Sequence, residues 1–172
     1  HMFKGCISLT GLDVSGFDTS NVTAMDETFY SCSELTSLNG ISHWDTSNVT
    51  IMNGMFLNCK KLTVLDLHGW NTSKVTNMFQ MFDVCSSLTA LNVFEWNTSN
   101  VTNMGYMFCS CQALTSLDIS NFDTSNVTDM TWMFMYCFEL RTIYMRGCNQ
   151  TTIDKIKKAL SSANILNQVT IV

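Results

Sequence analysis

Hydrophobic and polar positions recur along this chain with a fixed period. One position of the period is phenylalanine, and a cysteine follows it three residues later. The phenylalanines are Phe3, Phe29, Phe56, Phe82, Phe108 and Phe134, and the cysteines are Cys6, Cys32, Cys59, Cys85, Cys111 and Cys137. Successive members of each series are 26 residues apart, with a single step of 27. Such a period predicts a solenoid, in which each repeat buries its apolar face against its neighbours.

Each repeat contains one stretch typical of a strand and one typical of a short helix. Leu114–Ile119 and its equivalents alternate apolar and polar residues, which predicts a half-buried strand. Later in the repeat, apolar residues fall at i, i+3, i+4 and i+7, on one helical face; in the third repeat they are Met78, Met81, Phe82 and Cys85. Thr76 is well placed to cap this helix. We therefore predict an α/β solenoid of about six coils, each a short strand plus a short helix.

The repeat ends after Met145, and the sequence that follows predicts a terminal cap. Residues 149–162 have the pattern of an amphipathic helix, and residues 165–172 that of a final strand. A cap of this kind covers the apolar surface that an open array exposes. We therefore divide the chain into a repeat solenoid over residues 1–148 and a C-terminal cap over residues 149–172. We interpret His1-Met2 as a cloning remnant and the first coil as truncated.

Composition narrows the classes of partner. The net charge of −5 argues against a nucleic-acid ligand, and no apolar run is long enough to span a bilayer. The repeat cysteines lie beside Phe and Leu, so we expect them to be buried, reduced thiols. Cys109 and Cys148 lie outside this column. We expect Cys109, at a variable position, to be the most exposed thiol.

Catalytic and metal-binding constellations are weakly supported. His43 and His68 occupy different offsets in consecutive repeats, and no nucleophile, base and orienting group recur together. We expect no enzyme and no cofactor. One column of acidic and amide residues comprises Asp18, Asp45, Asn71, Asn97 and Asp123. We expect these side chains to cap turns, with calcium binding as the alternative.

Two surfaces are candidates for ligand binding. Aromatic and methionine residues gather on the predicted outer helical face towards the C-terminus, at Tyr106, Trp132, Met135, Tyr136 and Phe138. Exposed aromatic clusters often mark binding surfaces, although the cap could instead fold over these side chains. The second candidate is the outward face of the strands, with His68, Phe94 and Tyr144.

The repeated phrases also resemble a known family. Leu114-Thr-Ser-Leu-Asp-Ile-Ser-Asn-Phe-Asp-Thr-Ser-Asn-Val-Thr-Asp-Met130 and Met107-Phe-Cys-Ser-Cys111 resemble BspA-like surface-protein repeats of the DUF285 type, over residues 2–148. The resemblance implies a leucine-rich-repeat-like, right-handed array at the cell surface or secreted, without enzymatic activity. It implies adhesion to a protein or glycan on a host or neighbouring cell. The alternative is a rigid spacer that displays another domain. The uncapped first coil, residues 2–25, also predicts weak end-to-end self-association.

Overall fold

A computed structural model describes all 172 residues and contains seven short parallel strands and one α-helix. The strands are β1 (Gly11–Asp13), β2 (Ser37–Asn39), β3 (Val64–Asp66), β4 (Ala90–Asn92), β5 (Ser116–Asp118), β6 (Thr142–Tyr144) and β7 (Thr170–Ile171). The helix α1 spans Gln150–Ser162, and short 3-10 turns span Ile41–His43 and Leu166–Gln168. None of the helices is both long enough and apolar enough to cross a membrane.

The strands pair between equivalent positions of successive repeats. β1 pairs with β2, β3 with β4, and β5 with β6 and then β7, always in parallel. Leu65 lies opposite Leu91, one repeat further along the chain. The central residue of most strands is buried and its neighbours face solvent, which is the alternation that the sequence predicts. Successive repeats are therefore stacked side by side.

The helix predicted in each repeat is wrong, because these segments form successive turns instead. We call them turn ribbons; they comprise residues 25–31, 52–58, 78–84, 104–110 and 130–136. Each ribbon contains two residues with positive φ, such as Gln80 at 56° and Val84 at 60°, and this left-handed conformation interrupts an α-helix. Thr76 caps no helix, and its hydroxyl donates to the Thr50 carbonyl of the preceding repeat, at 3.2 Å.

Main-chain hydrogen bonds join each turn ribbon to the next. Alternate N–H groups of the third ribbon, beginning with Met78 and Gln80, donate to carbonyls of the fourth at 2.9 Å. The second and fourth ribbons follow the same pattern, with four bonds of 2.7–3.0 Å each. Of the intervening N–H groups, those of Met81 and Asp83 close turns within their own ribbon, and that of Phe79 donates to the Asn77 side chain. Within the ribbons, the N–H groups that bond to another repeat consequently point towards the C-terminal end of the array, and the carbonyls that accept from another repeat point towards the N-terminal end.

The repeating phenylalanines form a continuous stack through the core. Neighbouring rings from Phe3 to Phe134 lie 5.3–5.8 Å apart, centroid to centroid, and are nearly parallel. The cysteine column lies against this stack. The Cys85 thiol donates to the Phe56 carbonyl at 3.2 Å, and the other repeat cysteines from Cys32 onwards make the equivalent contact. The thiol thus packs as a small apolar group and also satisfies a main-chain carbonyl.

The thiols are free, and most are buried. Burial raises the pKa of Cys85 and of Cys137 to about 12, which suppresses the thiolate in both. The expectation for Cys109 is wrong, because only 6% of it is exposed. Its position, five residues after the repeat methionine, would face outward on a helix, but in the turn ribbon neighbouring residues cover this thiol, whose Sγ lies 3.6 Å from the Ser110 hydroxyl. The exposed thiol is Cys6.

The C-terminal segment covers the last repeat. α1 starts after Asn149, whose side chain accepts from the Thr152 N–H at 2.8 Å, as an N-cap does. Ile156 and Leu160 of α1 are fully buried. Of the final strand predicted over residues 165–172, only Thr170–Ile171 is extended, because a 3-10 turn occupies Leu166–Gln168.

Candidate ligand-binding surface

Three aromatic side chains form a row across the outer face of successive turn ribbons. The ring centroids of Phe79 and Tyr106 are 5.6 Å apart, and those of Tyr106 and Trp132 are 5.2 Å apart, both in edge-to-face geometry. We call Phe79, Tyr106 and Trp132 the aromatic row. Tyr106 is half-buried between its neighbours, whereas Trp132, at the end, is 50% exposed. Packing on one side thus fixes an indole that is open to solvent on the other.

A second aromatic contact lies further along the last ribbon. Tyr136 and Phe138 lie 5.9 Å apart, and both are more than half exposed. Met135, which precedes them, is half-buried. The cap therefore leaves Trp132, Tyr136 and Phe138 exposed, contrary to the interpretation in which it covers them. An exposed apolar cluster of this kind is uncommon on a monomer without a partner.

A groove separates the last turn ribbon from α1. It has a volume of about 400 Å³ and is lined by residues 127–132 on one side and by Lys155, Lys158, Ala159 and Ser162 on the other. We call it the cap groove. Trp132 belongs to its lining. The cap groove and the exposed end of the aromatic row are therefore adjacent parts of one surface.

The charged groups of the cap groove differ in how they are engaged. The Lys155 ammonium donates to the main-chain carbonyls of Thr124 and Val127 at 2.7 and 2.8 Å. Lys158 is exposed and forms no ion pair. The single carboxylate, Asp129, accepts from the Thr131 N–H at 2.9 Å. The lining therefore carries two ammonium groups and one carboxylate.

The strand-face candidates stand apart from one another. His68 is exposed, and its Nδ1 lies 2.9 Å from a carboxylate oxygen of Asp66. Phe94 is 41% exposed and has no aromatic neighbour. Tyr144 is half-buried, with the Arg146 guanidinium 5.6 Å from its ring centre. The strand face thus presents isolated side chains and no cluster.

The column of Asp and Asn residues caps turns, as predicted. Asp18 and its equivalents up to Asp123 each accept from the main-chain N–H two residues later, at 2.9–3.1 Å. The pKa of Asp18, Asp45 and Asp123 is lowered, chiefly by the serine hydroxyl of the same turn and next by this main-chain N–H. No group of three or more His, Cys, Asp or Glu side chains is arranged to hold a metal ion.

Sequence reasoning missed two parts of this surface. The first is Phe79, the inner end of the aromatic row. The glycine at position 105, one repeat later, is the sequence feature that could have indicated it. A Cβ atom on Gly105 would lie only 3.2 Å from the Phe79 ring, so glycine makes room for the ring. The second omission is the pair Lys155 and Lys158, three residues apart on the cap helix and hence on one face.

A family model described as "Mycoplasma protein of unknown function, DUF285" matches residues 1–91 and again residues 65–171. The chain belongs to the DUF285 family. The two DUF285 matches overlap over residues 65–91, which agrees with a chain built from equivalent repeats, because a match can begin at any of them. The chain matches no protein among those with curated descriptions.

Proposed function

We propose that this DUF285 chain is a solenoid module, cell-surface or secreted, that binds a protein or glycan on a host or neighbouring cell. The observation that carries the proposal is the exposed aromatic surface beside the cap, formed by Trp132, Tyr136 and Phe138. Large aromatic side chains held in fixed positions supply much of the binding energy at interfaces. The resemblance of the repeat to BspA-like surface proteins supports the location.

These aromatic residues are not required by the repeat itself. The positions equivalent to Tyr106 and Trp132 are occupied by Glu27, Gly54 and Gln80 in the other repeats, which form the same ribbon. Folding therefore does not explain why two neighbouring ribbons carry Tyr and Trp there. The spacer alternative predicts an unremarkable polar exterior at this end, so the exposed cluster favours binding over a spacer.

The test uses variants that respect the ribbon geometry. Tyr106 and Trp132 both have positive φ, at 58° and 53°, so replacement by residues found at this position elsewhere preserves the backbone. We would compare the wild-type chain with a Tyr106→Gln/Trp132→Gly double variant, each displayed on beads, for binding to epithelial cells and purified mucin. Phe94→Asn, which removes an exposed aromatic from the strand face, is the matched control.

Saturable binding that the double variant loses and Phe94→Asn keeps would support the module and locate its surface. Binding lost only in Phe94→Asn would move the ligand to the strand face. If neither the wild-type chain nor any variant binds epithelial cells or mucin, the module proposal fails and the spacer alternative remains. Circular dichroism of each variant establishes that the fold is intact.

The opposite end of the array carries the proposed self-association. Met2, Ile7 and Phe17 are exposed there, and the carbonyls of Met2 and Lys4 accept no hydrogen bond. We expect sedimentation velocity to show a concentration-dependent dimer that Phe17→Asp weakens. A monomer at all concentrations would contradict this.

A further inference from the structure

The last turn ribbon has main-chain donors that nothing in the chain satisfies. In the preceding ribbons, alternate N–H groups donate to the next repeat. In the last ribbon the equivalent N–H groups belong to Met130, Trp132, Phe134 and Tyr136, and none has an acceptor. The cap completes the sheet with β7 but supplies no ribbon. Unpaired N–H groups are rare in folded proteins unless solvent or a ligand satisfies them.

This edge offers donors without acceptors. The carbonyls of Thr131 and Met133 accept from the preceding ribbon, and those of Met130 and Trp132 accept turn bonds from within their own ribbon. An added β-strand needs alternating donors and acceptors from its partner, so it fits this edge poorly. Successive N–H groups in turn conformations instead favour acceptor-only ligands, such as the oxygens of a carboxylate or sulfate.

The surrounding charges favour the same kind of ligand. Met130 and Trp132 line the cap groove opposite Lys155 and Lys158. The Asp129 carboxylate, the one negative group of the lining, already has contacts of its own. One of its oxygens accepts from the Thr131 N–H, and the other lies 3.0 Å from the position of a Cβ on Gly105 in the preceding repeat. Lys158, which forms no ion pair, supplies the mobile positive charge.

We propose that the cap groove binds the acid group of an anionic glycan, an inference that rests on the proposed function and names its ligand class. The carboxylate or sulfate oxygens accept from the N–H groups of Met130 and Trp132 and pair with the Lys158 ammonium. The adjoining sugar ring packs its C–H face on the exposed Trp132 indole, which Tyr106 holds in place. The flat indole beside the anion site favours a sugar over an acidic peptide.

The experiment measures binding of defined oligosaccharides by the intact chain. Heparin fragments carry both sulfate and carboxylate groups, and hyaluronan fragments carry carboxylate groups alone. Dextran is the neutral control, and poly-glutamate represents an acidic peptide. Binding is followed by the amide chemical shifts of Met130 and Trp132. Lys158→Gln is paired with Lys157→Gln, an exposed neighbour on α1 that lies outside the groove lining.

We expect an anionic oligosaccharide to shift both amides, with an affinity that falls as salt rises. Lys158→Gln and Trp132→Gly should each weaken binding about tenfold, in line with one charge-assisted hydrogen bond or one aromatic contact. Lys157→Gln should bind like the wild type, and dextran should not bind. Binding of heparin without hyaluronan would show that sulfate is required, whereas binding of both would show that a carboxylate is sufficient.

Four results would overturn the inference. Equal weakening by Lys157→Gln and Lys158→Gln would show diffuse attraction to the helix. Binding of poly-glutamate as tight as that of the glycans would show an acidic-peptide site. Cell binding that persists while neither oligosaccharide shifts the amides would refute the glycan site and leave the proposed function standing. If the wild-type chain binds neither cells nor oligosaccharides, the glycan site and the proposed function are both refuted.

Discussion

Replacing a half-buried valine by asparagine should stabilise this protein at one position. Val84 has a φ of 60°, a left-handed conformation that β-branched residues rarely adopt. Asn58, the equivalent residue one repeat earlier, has a φ of 66°, and its side-chain amide donates to the Ser31 hydroxyl at 3.0 Å. The fold therefore already accommodates asparagine in this column, and we expect Val84→Asn to relieve strain.

The expected change in the free energy of unfolding on Val84→Asn has three contributions. A left-handed conformation costs an ordinary L-residue about 1–2 kcal/mol, and asparagine avoids much of this. A hydrogen bond like that of Asn58 adds about 1 kcal/mol. Against these, removing the partly buried methyl groups of Val84 costs about 1 kcal/mol. The net gain is about 1 kcal/mol, which corresponds to a rise in Tm of about 2–4 °C for a chain of this size.

Urea unfolding under reducing conditions, followed by circular dichroism, measures the change in the free energy of unfolding. The reciprocal variant, Asn58→Val, loses the hydrogen bond and gains the strain but also buries the valine methyl groups, so it should destabilise the protein by about 1 kcal/mol. Val22→Asn is the matched control, because Val22 is also half-buried but does not have a positive φ. If Val84→Asn destabilises as much as Val22→Asn does, backbone strain in the ribbon is not the reason and the argument fails.

Further predictions follow from the core. Phe82→Ala should lower the free energy of unfolding by about 3–5 kcal/mol, and Phe3→Ala, at the half-buried end of the stack, by much less; equal losses in urea would contradict a continuous stack. Burial raises the pKa of the Asp83 carboxyl above its value in the unfolded chain. Ionisation of this group therefore opposes folding at every pH above the unfolded-state pKa. Asp83→Asn should therefore raise Tm at pH 7 but not below about pH 3.9, the ordinary pKa of an aspartate side chain. Of the free thiols, Cys6 should react first with Ellman's reagent, whereas the six buried thiols should react only after denaturation.

The sequence predicted the repeat and its strands because both depend on single-residue periodicity. Leu65 and Leu91 are equivalent in sequence and opposite one another in the sheet. The buried thiols followed from the position of the cysteine column beside Phe and Leu. The cap helix was predicted over residues 149–162 from its amphipathic pattern, and α1 spans Gln150–Ser162.

The turn ribbon could not be predicted in the same way. A spacing of i, i+3, i+4 and i+7 places Met78, Met81, Phe82 and Cys85 on one helical face, but the ribbon buries the same four residues. The difference lies in where the N–H groups point, which depends on the neighbouring repeat and not on the local sequence. A helix satisfies its main chain internally, whereas the ribbon needs a neighbour to do so. Periodicity cannot distinguish the two.

The same dependence on a neighbour accounts for the unpaired N–H groups beside the cap groove. A helix in each repeat would satisfy most of its main chain internally, whatever repeat lay beside it. Here each ribbon donates to the next, so the stack ends in an edge of unpaired N–H groups beside the cap and in unpaired carbonyls, those of Met2 and Lys4, at the other end. The cap buries the core with Ile156 and Leu160 but leaves that edge open beside Trp132. Adding internal repeats would lengthen the stack without adding such an edge, so each capped array has one cap groove. Multivalent binding would then require several capped chains on one surface and not a longer chain.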